Sequence, residues 1–105
     1  MIRSVGRIQI VDVSEIDWLR ASGNYVEIHA GSRSFLHRER LRVLEEQLDP
    51  TAFVRIHRSA IVGRSAVEEL HPRPGGGYRV VLRGGTRLRL SRTYRAAVAD
   101  LVQDC

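Results

Sequence analysis

Apolar and polar residues alternate along most of this 105-residue chain. Because successive side chains of a strand point to opposite faces of a sheet, this period of two predicts β-structure. In the first predicted strand, Ile8, Ile10 and Val13 form the expected inward-facing set. Gly84-Gly85 is expected to join the last two strands as a hairpin. Strands are predicted near residues 7–13, 16–21, 25–29, 33–37, 53–57, 60–62, 67–71, 78–83 and 86–90.

Two segments show helical spacing instead. Leucines recur every three or four residues over 38–48, and Asp49-Pro50 ends that pattern. Ser91 is a candidate N-cap for a last helix over 92–102. The pattern therefore predicts a β core with two peripheral helices.

The segment 53–59 (FVRIHRS) combines strand alternation with two arginines and a histidine. A plain core strand of this composition would be costly, because buried charges need partners. Arg58 stands where the strand leaves the sheet, so a long cation would project from a rigid support. The segment predicts a place at which cations meet an anionic partner.

The charge of the chain is uneven. The formal net charge is +5, the pI is about 10.6, and all 17 basic residues are arginine. Residues 1–50 carry 7 Arg against 8 acids (−1), residues 51–95 carry 10 Arg against 2 acids (+8), and residues 96–105 add −2. Arginine suits phosphate and the guanine edge, although a genomic codon bias explains the missing lysine equally well. The basic second half is typical of a nucleic-acid footprint.

Enzyme, metal and cofactor chemistry are not indicated. The four histidines lack metal-ligand spacing, and no Ser-His-Asp or paired-carboxylate order is present. Gly75-Gly76-Gly77 lacks the Lys and Ser/Thr of a phosphate-binding loop. No catalytic, metal or cofactor site is therefore expected.

The remaining bounds concern compartment and size. At this length a single domain over 1–105, with a core at roughly 5–102, is expected. The only cysteine is Cys105, so no internal disulfide can form and a reducing, cytoplasmic location is expected. No apolar run reaches membrane-spanning length. Sequence does not decide whether the chain is free-standing or one domain of a longer protein.

Four motifs in order resemble the LytTR DNA-binding domain family. They are the run IDWLRASGNYVEIH at 16–29, the leucine-bearing helix, FVRIHRSAIV at 53–62, and a closing motif with Gly85, Leu88, Leu90, Ser91 and Arg92. The resemblance covers roughly residues 5–102. One departure is Gly63, where the family usually has Asn.

The resemblance implies a mainly β fold. Antiparallel strands would form small stacked sheets with one central short helix and a C-terminal helix. It also implies sequence-specific binding of double-stranded DNA by a transcriptional regulator, with loops inserted into successive major grooves. Two copies would form a dimer on a repeated site, and a receiver domain, sensor domain or partner kinase would supply the signal.

The resemblance also assigns DNA contacts. Either Asn24 or Tyr25 in the hairpin loop would reach a base edge, and Arg58, after the histidine, would contact DNA. Arg92, after the serine of the closing motif, would enter the groove. A helix start there would favour phosphate through its free N–H groups.

Three further residues are candidate DNA contacts: His57, Ser59 and Arg87. For His57 a structural hydrogen bond is favoured over base reading, and Ser59 could instead cap its own turn. Arg87 is expected to touch phosphate. Arg79, Arg83 and Arg89 are expected to share its hairpin face.

Other interpretations of the same residues stay open here. Arg58 could pair with Glu68 or Glu69, Asn24 could be only the positive-φ residue of its turn, and Arg92 could be merely solvated. The chain as a whole could be a protein-interaction module that uses a sheet edge. RNA binding is less favoured, since an exposed aromatic pair on a sheet is not evident.

Overall fold

The computed structural model describes residues 2–4 and 7–102. Expectations for residues 1, 5–6 and 103–105, among them Cys105 and the ends of the domain, lie outside the described residues. The ten strands are β1 Ile2–Ser4, β2 Arg7–Gln9, β3 Trp18–Ser22, β4 Tyr25–Ala30, β5 Arg33–His37, β6 Phe53–His57, β7 Ala60–Gly63, β8 Val67–Pro72, β9 Tyr78–Leu82 and β10 Arg87–Leu90. The helices are α1 Leu41–Gln47 and α2 Ala97–Leu101, with 3-10 turns at Val13–Glu15, Arg64–Ala66 and Arg92–Tyr94.

All described strand pairs are antiparallel. A five-stranded sheet has the order β5-β4-β3-β7-β6, a three-stranded sheet has the order β10-β9-β8, and β1 pairs with β2. The predicted fold, antiparallel strands in small stacked sheets with a central and a C-terminal helix, is confirmed.

One face of the five-stranded sheet packs against α1. Leu41 of this helix is buried, and the half-buried Leu44 and Leu48 cover the same side. The helix forms because these leucines recur at its period and gain by burial. The buried sheet residues beneath it are Leu19, Val26, Ile28, Ala30, Phe35, Phe53 and Ile61.

The opposite face packs on the three-stranded sheet and α2. Successive side chains of a strand point to opposite faces of the sheet. The five-stranded sheet therefore contributes to two hydrophobic cores, one on each face. Ser91 connects the layers, because its N–H donates to the carbonyl oxygen of Ile56 at 3.0 Å. The buried residues between the layers are Trp18, Val54, Ile56, Ala60, Val62, Ala66, Val80, Leu82, Leu90 and Ala97.

The prediction for the first strand was wrong beyond residue 9. Ile10 is 84% exposed and Val13 51% exposed, whereas Val11 is buried. Asp12 caps a 3-10 turn there: its carboxylate accepts hydrogen bonds from the N–H and Oγ of Ser14 at 2.9 and 2.8 Å. This local hydrogen bonding competes with strand pairing. The strand therefore ends at Gln9, and the alternating residues Ile10 and Val13 do not face the core.

The predicted last helix over 92–102 is interrupted. The N–H groups of Tyr94 and Arg95 bond three residues back, so the segment begins as a 3-10 turn and only later becomes α2. Ser91 makes no side-chain cap hydrogen bond. The argument that helix-terminal N–H groups hold a phosphate at Arg92 therefore loses its support.

Gly63, where this chain departs from the family pattern, lies against β3. Its N–H donates to the carbonyl oxygen of Asp17 at 2.8 Å. A Cβ at this position would stand 3.0 Å from the carbonyl oxygen of Ile16. The glycine thus allows close approach of two backbones.

Candidate nucleic-acid interface

The β3–β4 hairpin presents Asn24 and Tyr25. Ser22 pairs with Tyr25, so Gly23 and Asn24 form a two-residue loop. Gly23 adopts the positive φ of +61°, and no described residue other than glycine has a positive φ. The alternative that Asn24 serves only as the positive-φ residue is therefore wrong, and its exposed amide is available to a ligand.

The β6–β7 turn presents Arg58. His57 pairs with Ala60, which leaves Arg58 and Ser59 as the turn. Arg58 is exposed and forms no ion pair with another described residue. Glu69, one of the two partners considered for it, instead bonds His71 at 2.7 Å.

Arg55 holds this turn in place, a role that sequence reasoning missed. Its Nε donates to the carbonyl oxygen of His57 at 2.7 Å, and a second guanidinium nitrogen donates to the carbonyl oxygen of Arg58. A third nitrogen bonds Glu45 Oε1 at 2.6 Å. The guanidinium also lies 5.9 Å from the Tyr94 ring centroid, and the side chain is only 16% exposed. The sequence contained a signal for this role, because the alternation puts Arg55 on the same strand face as the core residue Phe53. A charged side chain on that face needs hydrogen-bond partners.

His57 is bound to its own turn. The Ser59 N–H donates to His57 Nδ1 at 3.1 Å, and Ser59 Oγ lies 2.8 Å from the same nitrogen. Burial lowers the pKa of His57, and the nearby cations Arg89, Arg58 and Arg55 lower it further. An Nδ1 that accepts a backbone hydrogen bond leaves the proton on Nε2, so the ring is neutral.

The turn with Arg58 lies between the other two candidate contacts. On one side, the Ala21 N–H donates to the carbonyl oxygen of Ser59 at 2.9 Å and ties the turn to the β3–β4 hairpin. On the other side, the Ser91–Ile56 hydrogen bond fixes the segment that carries the exposed Arg92. Hairpin tip, turn and closing segment therefore follow one another along one surface.

A first groove, the hairpin groove, lies beside the hairpin tip and encloses about 590 Å³. It brings together Asn24, Tyr25 and Arg58, three of the residues predicted to contact DNA. It also contains exposed arginines from the segment between β5 and α1, which sequence reasoning missed because that half of the chain is net acidic. The arginines that line it are Arg38, Arg40, Arg42, Arg55 and Arg58.

A second groove, the β9–β10 groove, encloses about 660 Å³. Arg79 pairs directly with Arg89, and Arg87 pairs with Val81, so these three arginines share one hairpin face as predicted. Arg83 leaves that set, since its guanidinium lies 3.5 Å from an Asp17 carboxylate oxygen. The arginines that line this groove are Arg73, Arg79, Arg87, Arg89 and Arg92.

His57 lies near arginines of both grooves. Its pKa is lowered by burial and then by Arg89 of the β9–β10 groove and Arg58 of the hairpin groove. Both grooves are lined by arginines. Over residues 2–4 and 7–102, no three His, Cys, Asp or Glu side chains are grouped to hold a metal ion. None of the described helices is both long and apolar enough to cross a membrane.

Several curated proteins have a sequence similar to this chain. The Bacillus subtilis sensory transduction protein LytT is 29% identical over 94% of this chain. The Pseudomonas aeruginosa positive alginate biosynthesis regulatory protein is 33% identical over 90% of it. The chain spans only 42% and 39% of the lengths of these two proteins.

A solved structure supports the fold. The LytTr DNA-binding domain of a Bacillus cereus response regulator superposes with a TM-score of 0.86, over 96% of this chain and 93% of that one, at 22% identity. Residues 6–103 match the sequence profile described as the LytTr DNA-binding domain. That family consists of DNA-binding domains and not of enzymes, in agreement with the prediction. This chain belongs to the LytTr DNA-binding domain family.

Proposed function

We propose that this domain regulates transcription by sequence-specific binding of double-stranded DNA along the two arginine-lined grooves. The observation that carries the proposal is the set of arginines that line these grooves near the hairpin tip, the Arg58 turn and the Arg92 segment. Arginine binds phosphate oxygens and can bond guanine O6 and N7 together. A surface of this kind supplies both backbone attraction and base discrimination.

The candidate base contacts are those with exposed side chains on rigid supports. Arg58 projects from a turn that is fixed by Arg55. Arg92 comes directly after Ser91, whose N–H is hydrogen-bonded to the carbonyl oxygen of Ile56 in the other layer. Asn24 or Tyr25 contacts a base edge from the hairpin tip, where an asparagine amide would suit adenine.

Phosphate contacts would come from the arginines around these three positions. Arg87 and its neighbours on the β9–β10 face track one stretch of backbone, and Arg38 and Arg40 track another beside the hairpin. Each contact neutralises a phosphate without reading sequence. His57 and Ser59 support the turn through their mutual hydrogen bonds at Nδ1 of His57. The group with which His57 would contact DNA is therefore its Nε2–H.

Contacts in successive major grooves would come from the two elements that flank the Arg58 turn. The hairpin tip and the Arg92 segment lie on opposite sides of the Arg58 turn, so they are the elements that would enter the two grooves. Bending of the DNA would bring both major grooves within reach of these elements.

The wider assembly follows the same reasoning. Two copies would bind a repeated site as a dimer, since one domain reads few base pairs. The relatives are more than twice as long as this chain, so a receiver or sensor domain, or a partner kinase, would supply the signal. A regulator of this kind acts in the cytoplasm, where bacterial DNA lies.

The test is selection from a randomised duplex pool at physiological salt, followed by sequencing of the retained molecules. An enriched, repeated motif is the expected result. Retention without enrichment would mean a pure backbone binder and would contradict base reading. No retention, even for a domain fused to a dimerising coiled coil, would favour a protein-interaction module instead.

A further inference from the structure

The loop between β8 and β9 lines one side of the β9–β10 groove. It contains Arg73-Pro74 followed by three glycines, and it lacks the residues of a phosphate-binding loop. The loop is nevertheless ordered by its own backbone. The Arg73 N–H donates to the carbonyl oxygen of Gly77 at 2.8 Å, and the Gly76 N–H donates to that of Arg73 at 3.2 Å.

Two of the glycines lie directly against the segment that carries Arg92. A Cβ on Gly77 would stand 3.0 Å from the carbonyl oxygen of Leu90. A Cβ on Gly76 would stand 3.0 Å from Cδ and 3.2 Å from Cγ of Arg92. The aliphatic stem of Arg92 thus crosses the bare α-carbon of Gly76.

This contact restricts an otherwise flexible side chain. An arginine has several rotatable bonds, and fixing them on binding costs free energy. Because the Arg92 stem already packs against Gly76, its guanidinium is oriented before DNA binds. The same loop brings Arg73 into the groove beside Arg92.

We infer that Gly76 is a positioning residue for base reading by Arg92. The inference rests on the proposed function, because it assigns a role to a residue next to a candidate base contact. Gly76 acts through Arg92 and does not need to touch DNA.

The chain offers a matched control for the test. Gly76 and Gly75 have nearly the same positive φ, +94° and +93°, so alanine strains the backbone similarly at either position. No heavy atom lies within 4 Å of a Cβ on Gly75, whereas a Cβ on Gly76 meets the Arg92 stem. Gly75→Ala therefore reports backbone strain alone, and Gly76→Ala reports strain plus displacement of Arg92.

The experiment is a double-mutant cycle with the unaltered domain, Gly76→Ala, Arg92→Ala and the double variant. Affinity is measured for the selected duplex and for a scrambled duplex at one salt concentration. Gly76→Ala should weaken specific binding about fivefold or more, a part of the discrimination that one arginine–guanine pair supplies. In the Arg92→Ala background the same change should have little effect, and Gly75→Ala should bind nearly as the unaltered domain does.

Three outcomes would overturn the inference: equal losses from Gly76→Ala in both backgrounds, equal losses from Gly75→Ala and Gly76→Ala, or no effect of Arg92→Ala. In each case the unaltered domain would still prefer its selected duplex, so the proposed function would survive. Loss of that preference in the unaltered domain would instead contradict the proposed function. A measurement independent of variant folding is the nuclear Overhauser contact between Gly76 Hα and the Arg92 Hγ and Hδ protons, whose absence would also overturn the inference.

Discussion

The Nε of Arg55 donates a 2.7 Å hydrogen bond to the carbonyl oxygen of His57, two residues further along the same chain. The register of β6 against β7 shifts between these two residues, so the strand bulges where the bond forms. Bulges re-aim side chains at strand ends. Here the bulge and the arginine together set the direction in which Arg58 leaves the sheet.

The first prediction concerns Arg55→Lys. Lysine keeps the charge but lacks the planar fork that bonds two carbonyl oxygens and Glu45 together. We expect a loss of about 1–3 kcal/mol in the free energy of unfolding, because carbonyl oxygens near the turn lose a charged donor. Urea denaturation monitored by circular dichroism measures this loss.

The control for that variant is Arg83→Lys. Arg83 makes one 3.5 Å ion pair with Asp17 and its side chain is 58% exposed, so its replacement should change stability by less than about 0.5 kcal/mol. Similar losses in both variants would mean that Arg55 contributes only as a surface charge. The specific DNA affinity of Arg55→Lys should also fall, since Arg58 loses its support.

The second prediction separates base contacts from phosphate contacts. Arg58→Ala should lower affinity for the selected site by about 1–3 kcal/mol and relax preference at one base position, with the fold intact. Arg92→Ala should behave in the same way at another position. Binding assays on the selected site and its single-base variants measure both effects.

Arg87→Ala provides the contrasting case. A phosphate contact carries no sequence information, so this variant should weaken binding to all duplexes alike. It should also reduce the salt dependence by about 0.9 in the slope of log K against log salt. A loss confined to one base position would instead make Arg87 a base contact, and unchanged binding by Arg58→Ala would remove Arg58 from that role.

The third prediction concerns the segment before α1. Arg38→Ala and Arg40→Ala remove exposed cations from the hairpin groove. Each should lower the magnitude of the salt slope by about 0.9 while leaving the preferred sequence unchanged. Arg33→Ala is the control: Arg33 lies over the Phe35 ring at 5.3 Å and outside both grooves, so its removal should leave the slope unaltered. Equal slopes for all three variants would exclude the segment from the interface.

The strands and hairpins could be predicted because their signals are local. Alternation fixes which side chains share a face, and Gly23 or Gly84-Gly85 fixes where the chain turns. The error at Ile10 and Val13 has a local cause as well, since Asp12 bonds Ser14 and ends the strand early. Predictions that depend on near neighbours were therefore mostly right.

The site was only partly predictable because its contacts join residues far apart in sequence. Arg40 comes from the acidic half of the chain but lines a groove with Arg58. Gly76 meets the Arg92 stem only because the β8–β9 loop folds over the end of β10. No sequence period or motif encodes such contacts. The contribution of Arg40 was also hidden because the net charge of residues 1–50 as a whole is negative.

The last prediction follows from the neutral state of His57. Its ordinary pKa is about 6.5, and burial followed by Arg89, Arg58 and Arg55 lowers the pKa in the folded domain. The unfolded chain therefore binds more protons than the folded one as pH falls below 6.5. The stability contributed by neutral His57 is complete above pH 6.5 and is lost as the pH falls through 6.5 toward the lower folded pKa.

Two measurements check this prediction. The Cε1 proton shift of His57, followed by NMR against pH, should titrate below 6.5. Arg89→Ala removes the cation that lowers the pKa of His57 most after burial, so it should raise this pKa toward its ordinary value. His57→Gln should show a smaller loss of stability between pH 6.5 and 5 than the unaltered domain. A titration at or above 6.5 would contradict the lowered pKa of His57 and, with it, this prediction.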